Sequence, residues 1–159
     1  MKLQPTTILQ IMIVLLGIIV LVILILFPLT EGRAENLDIF SIYSDPLILY
    51  GYAASLLFFG ALYKTFKLLD LIKQKKIFEH NAIRILINIR KHIMIFIVLI
   101  LFAGLFIVLF HAKEDDPVGF IVVCFGITFI SLFAAAVLKV IETILQKGIE
   151  LKSENEKLE

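Results

Sequence analysis

The sequence predicts an all-α integral membrane protein, a four-helix bundle whose helices each cross the bilayer once. Three observations carry this prediction. Of 159 residues, 60% are hydrophobic and only 18% are charged, with a mean hydropathy of +1.02; soluble domains are about 45–50% apolar. Four blocks contain no Asp, Glu, Lys or Arg: Ile8–Thr30, Pro46–Tyr63, Ile93–Ala112 and Pro117–Leu138. Each is near or above the roughly 17–25 apolar residues that cross a hydrocarbon core. None of the blocks carries the polar face that a helix of a soluble bundle turns to water. The predicted spans are about 8–29, 47–63, 93–110 and 118–138.

The first span starts near Thr7. Ile8 to Leu29 includes eighteen Ile, Leu, Val or Phe residues, which favours insertion by roughly 5–11 kcal/mol. The run is too long for the apolar region of a secretory signal, about 7–15 residues, and no small-x-small cleavage site follows, so it reads as a retained signal anchor. Pro28 is expected to end this helix by disrupting its last turn. After a short loop, Ser44-Asp45-Pro46 opens the second helix: Asp45 is a good N-cap, and proline suits the first helical position. Tyr63 to Lys76 has good helix formers and no Gly or Pro. A helix from Leu47 to Lys76 would be about 45 Å long at 1.5 Å per residue, longer than the roughly 30 Å core.

A turn is expected around Lys76-Ile77-Phe78, with the third helix restarting near Glu79, where an acid faces the positive end of the helix dipole. Residues 64–92 then form a helical hairpin, the ends of helices 2 and 3 projecting beyond the bilayer. The fourth helix starts at Asp116-Pro117, passes Lys139 and reaches about Lys152. Residues 153–159, SENEKLE, are expected to form a flexible tail.

Charge orients the chain. Thirteen of the fifteen Lys and Arg residues lie in the N-terminal tail (Lys2), in the middle segment (Lys64, Lys67, Lys73, Lys75, Lys76, Arg84, Arg90 and Lys91) and after the last span (Lys139, Lys147, Lys152 and Lys157). The other two loops hold Arg33 and Lys113 with seven acids: Glu31, Glu35, Asp38, Asp45, Glu114, Asp115 and Asp116. Cytoplasmic loops carry the excess of Lys and Arg, so both termini and the hairpin are expected in the cytoplasm, with the chain in the cell membrane.

Two segments echo one another. Lys67, Asp70 and Gln74 match Lys139, Glu142 and Gln146 at an offset of 72, and Asp45-Pro46 matches Asp116-Pro117 at 71. A tandem two-helix repeat of parallel orientation is one explanation; the shared demands on membrane helix ends are another. Within each copy the three polar residues share one helix face. They read either as stripes flanking a docking surface or as lysines snorkelling at the membrane boundary beside an i,i+3 acid. Small residues on the second helix (Gly51, Ala54, Ser55, Gly60 and Ala61) and on the fourth (Gly126, Ser131, Ala134, Ala135 and Ala136) include Gly51-x-x-x-Ser55 and Ser131-x-x-x-Ala135. Such spacing permits close backbone approach, so helices 2 and 4 are expected to pack together, or one face to make a dimer.

Several chemistries are not supported. Cys124 stands alone, so no intrachain disulfide or cysteine metal cluster is available, and a small packing residue is expected there. Glu114-Asp115-Asp116 has three carboxylates but no Gly-containing loop to wrap a cation. His80, His92 and His111 have no zinc-ligand spacing. There is no GxxxxGK[ST], GxGxxG or GxSxG pattern. No cofactor, metal site or enzyme activity is expected. The span centres carry no ionisable acid or base, which disfavours an ion-coupled carrier. The basic middle segment lacks the aromatic interleaving of a nucleic-acid reader; attraction to anionic lipid explains it better.

The stretch LLDLIKQKKIFEHNAIRILINIRK, Leu68 to Lys91, followed by an acidic loop and VIETILQKGIELKSEN, Val140 to Asn155, resembles the bacterial four-span family catalogued as domain of unknown function 2975. Its most specific parts are Lys75, Lys76 and Phe78 at the turn, with Asn81 beyond, and Leu151 to Asn155. Many relatives continue with an Asp-Leu-Thr tail where this sequence ends EKLE. The family has no assigned activity. The resemblance implies a frequent association with a small helix-turn-helix regulator of the Cro/C1 type. The expected function is therefore a non-enzymatic membrane partner of a cytosolic regulator, docking through Lys73, Lys75, Lys76, Phe78 and Arg84 and the C-terminal helix. The alternative is a passive oligomeric channel or small-solute exporter.

Overall fold

A computed structural model describes residues 4–30, 39–110 and 118–158, and among these all regular structure is helical. The helices are α1 (Pro5–Thr30), α2 (Ile39–Tyr43), α3 (Pro46–Lys73), α4 (His80–Phe110) and α5 (Val118–Leu158). Four of them, all but the five-residue α2, are long and apolar enough to cross a membrane. At 1.5 Å per residue, α3, α4 and α5 are about 42, 46 and 61 Å long, so each exceeds a hydrocarbon core of about 30 Å.

The start of α3 follows from its cap. The Asp45 carboxylate accepts from the Leu47 and Ile48 amides at 2.7 and 3.4 Å, and Pro46 occupies the first turn. The matching Asp116-Pro117 lies outside the described residues, as do Lys2, Arg33, His111, Lys113 and six of the seven acids of the acidic loops.

Two helix ends differ from expectation. Helix α1 continues through Pro28 to Thr30. Proline removes the N–H that would bond the carbonyl four residues back, at Leu24. Here the Tyr52 hydroxyl on α3 donates to that carbonyl at 2.9 Å, and the Tyr43 hydroxyl on α2 donates to the next, Ile25, at 2.8 Å. The two phenol rings stack with centroids 6.5 Å apart. The helix survives its proline because a neighbour supplies the lost donor, as an apolar surrounding demands. Helix α5 runs on to Leu158, beyond the expected end near Lys152, over the segment read as a flexible tail. No Gly or Pro follows Gly148, and Glu, Lys and Leu dominate the remaining turns; all three are strong helix formers.

The packing order also differs. Helix α4 lies between α3 and α5 and packs extensively on both, while α1 packs on α3. The expected face between the second and fourth spans, α3 and α5, is not formed as an extended contact. The connections explain this: six residues join α3 to α4 and seven join α4 to α5, and short connections make consecutive helices neighbours. Gly51 faces open space, as does Gly126. The close approach of α3 occurs instead at Gly60, where an added Cβ would lie 3.0 Å from the His92 ring of α4. The His92 Nδ1 donates to the Asn88 carbonyl at 2.8 Å, which fixes the ring in that position. On α5, Ala135 is buried and Ser131 half-buried; on α3, Ser55 is half-buried and donates to the Tyr52 carbonyl at 2.7 Å.

The largest buried cluster lies at the end of the bundle that carries the Lys and Arg residues, called here the basic end. Leu68 of α3, Ala82, Ile83, Ile85, Leu86 and Ile89 of α4, and Leu145 of α5 form it, with Leu71, Ile77, Leu138 and Ile149 packed around. The opposite half is thinner. Most aliphatic side chains of α1, and many of α4 and α5, are exposed on the protein surface, as expected where lipid tails rather than protein cover them.

Candidate functional site

The basic end is built from the closing turn of α3. Gln74 caps the helix, the Lys75 amide donates to the Ile72 carbonyl at 3.0 Å, and the Lys76 amide donates to the Leu71 carbonyl at 2.9 Å. This paired closure satisfies carbonyls at the helix end and places the next residue in the left-handed region, a position that usually holds Gly. Lys75 occupies it, with φ of 60°. The chain then passes Ile77, which packs on the core, and Phe78. The Phe78 ring lies over Gly148 of α5: an added Cβ there would meet ring carbons at 2.9 and 3.1 Å. The turn is thus seated on the last helix at a residue with no side chain.

The expected docking residues all reach the surface. Lys73, Lys75, Lys76 and Arg84 are exposed, and Phe78 retains 51% exposure although one face of its ring is covered. Arg84 is exposed between Ala82 and Ile83 on one side and Ile85 and Leu86 on the other, which turn into the core. The helix period therefore separates a basic outer face from an apolar inner one.

The two polar stripes prove unlike. On α3, the Gln74 side-chain amide donates to Asp70 at 2.8 Å, in an exposed setting, and Lys67 is exposed. On α5, Glu142 is 3% exposed and its carboxylate is held from two sides. Lys139 donates to Oε1 at 2.9 Å, and the Arg90 guanidinium of α4 lies 3.2 Å from Oε2. Oε2 has charge contact but no well-aligned hydrogen bond. Gln146 is half-buried. The i,i+3 pair of Lys139 and Glu142 is present, with Lys139 half-exposed, but its acid lies inside the bundle rather than at the surface. Glu142 is a buried carboxylate, and Arg90, from another helix, brings a second cation to it. An isolated buried carboxylate is very costly, which explains why it is paired.

In the opposite half, polar contacts are made by tyrosines. Besides Tyr43 and Tyr52, Tyr50 of α3 donates to the Leu99 carbonyl of α4 at 2.7 Å. The middle helix pair and α1 are thereby tied through phenols whose rings remain apolar. Cys124 is buried on α5, its Sγ 3.8 Å from where a Cβ on Gly104 would stand, so it packs as a small residue. An apolar cavity of about 220 Å³ adjoins it, lined by Leu101, Leu105, Val108 and Phe125 among others. Among the described residues no group of three His, Cys, Asp or Glu side chains is arranged to hold a metal.

Comparison with known proteins finds one family. Residues 4–157 match the model of the family described as "Protein of unknown function (DUF2975)". The chain is 34% identical over 158 residues to the "Uncharacterized membrane protein YoaS" of Bacillus subtilis (strain 168), an alignment that covers 98% of each chain. No solved structure matches.

Proposed function

We propose, for a chain that belongs to the DUF2975 family of unknown function, that it is a non-enzymatic docking protein of the cell membrane. Its basic end faces the cytoplasm and receives a small cytosolic regulator with an acidic surface. The observation that carries this reading is the combination, at one turn and the helix ends beside it, of four exposed cations with a half-exposed phenylalanine, seated on the buried core of the described residues. A rigid support lowers the ordering cost of association. Aromatic anchors ringed by charge suit protein partners, the charges steering encounter and the ring filling a pocket. The distribution of Lys and Arg supports the cytoplasmic placement of this end and of both termini.

Crosslinking in native membranes tests the docking reading. The wild-type chain is expected to capture a defined cytosolic partner, and Lys73→Glu, Lys75→Glu and Arg84→Glu together are expected to abolish that product at unchanged membrane abundance. Retention of every crosslinked product by the triple variant would show the reading to be wrong.

A further inference from the structure

The Arg90–Glu142–Lys139 cluster has a charge balance that structure alone does not require. One carboxylate is held by two cations, which leaves one net positive charge. The carboxylate is buried, while Arg90 and Lys139 retain 34% and 51% of their side-chain exposure. Each makes one contact to the carboxylate, and a guanidinium carries five donors and an ammonium three, so donors remain for a ligand. Both residues also lie just beyond the ends of uncharged blocks. Arg90 lies three residues before Ile93, where the uncharged block of α4 begins, and Lys139 directly follows Leu138, where the block of α5 ends. That is the level at which a bilayer changes from hydrocarbon to headgroups.

We infer that Arg90 and Lys139, held apart and aimed by the buried Glu142, form a binding site for the phosphate of an anionic headgroup. The carboxylate holds Lys139 by a hydrogen bond and Arg90 by charge contact, which removes some of the side-chain freedom an incoming phosphate would otherwise have to restrain. The phosphate oxygens accept from the remaining donors of both side chains, and Arg is suited to bind two such oxygens at once. Phosphate chemistry is favoured over a protein carboxylate because the site opens at the boundary of two apolar helices. This inference is independent of the docking reading, which concerns the turn at Lys73–Phe78 and nearby Arg84.

The test uses the full chain, purified in detergent and analysed by native mass spectrometry with added phosphatidylglycerol, phosphatidylcholine or inorganic phosphate. One tightly retained phosphatidylglycerol is expected in the wild type, in preference to phosphatidylcholine. Lys139→Gln, which removes a half-exposed side chain, is expected to weaken it about fivefold or more. Arg90→Lys retains the charge opposite Glu142 and loses the second parallel donor, and a several-fold loss is expected there too. Lys91→Gln removes an exposed charge one residue away, on another helix face, and is expected to change binding by less than twofold. Competition by millimolar inorganic phosphate would identify free phosphate as a ligand of the same site; its failure would assign the site to lipid. The inference is overturned if Lys139→Gln and Lys91→Gln weaken phosphatidylglycerol equally, or if neither changes it.

Discussion

The contact between Phe78 and Gly148 makes an unusual prediction about a glycine inside a helix. Gly148 lies in mid-helix in α5, where replacement by alanine ordinarily stabilises by about 1 kcal/mol. Here the new methyl would stand 2.9 Å from the Phe78 ring, too close for any real carbon–carbon contact, so the ring must leave. Phe78 is 51% exposed, and burying a whole phenylalanine contributes about 1.5–3 kcal/mol, so its seat contributes about 1 kcal/mol. The two effects nearly cancel. Gly148→Ala is therefore expected to change the stability of the wild type by less than about 0.5 kcal/mol, yet to stabilise a Phe78→Ala background by about 1 kcal/mol. Equilibrium unfolding of the four proteins in mixed micelles, followed by helical circular dichroism, measures the coupling. Equal stabilisation in both backgrounds would refute the seating of the turn on α5. The same substitution bears on function: it displaces the ring without altering any charge, so it is expected to weaken partner crosslinking while leaving lipid retention at Arg90 and Lys139 intact.

Other expectations follow from single contacts. Tyr52→Phe is expected to cost about 1 kcal/mol in the wild type by orphaning the Leu24 carbonyl, but close to nothing beside Pro28→Ala, whose restored N–H takes that carbonyl; the same unfolding cycle reads both. Lys75→Gly relieves a side chain held at φ of 60° and is expected to raise stability by about 1 kcal/mol, seen as a higher unfolding midpoint. Arg90→Ala leaves Glu142 with Lys139 alone and is expected to destabilise by about 2 kcal/mol or more, while Arg90→Met with Glu142→Leu recovers most of that loss in a thermal melt.

The number of spans, the Asp45 cap, the turn near Lys76–Phe78 and the packing role of Cys124 were legible because each rests on local chemistry. Packing order was not. A span apolar on every side has no hydrophobic face to read, and Gly51 and Gly60 look alike in sequence; Gly60 differs because His92, thirty-two residues on, lies against it. Pro28 misled for a related reason. Its missing N–H predicts a helix end only where no other donor is near, and the donors come from Tyr43 and Tyr52, whose positions depend on how α2 and α3 fold back. Lys73, Lys75, Lys76 and Arg84, expected to dock a partner, are exposed, whereas the Arg90–Glu142 contact joins residues that no spacing links.

The two similar segments now separate along the same line. Asp70 and Glu142 occupy corresponding places and share the residues around them, so local sequence would give them one environment. They differ because α4 lies between the helices that carry them, and its arginine at position 90 reaches only the α5 side. Asp70 is left to an exposed bond with Gln74, while Glu142 is drawn into a buried ion cluster. Phe78, just after the first copy (Lys67 to Ile77), is likewise seated on Gly148, within the second (Lys139 to Ile149). Whatever their origin, the copies have complementary places in the fold: one ends in the turn, and the other supplies the surface on which that turn rests. A substitution at one copy is therefore expected to have no equivalent at the other. Asp70→Asn should be nearly silent in the unfolding assay, whereas Glu142→Asn should lower the midpoint, because two cations would then face one another across an uncharged residue.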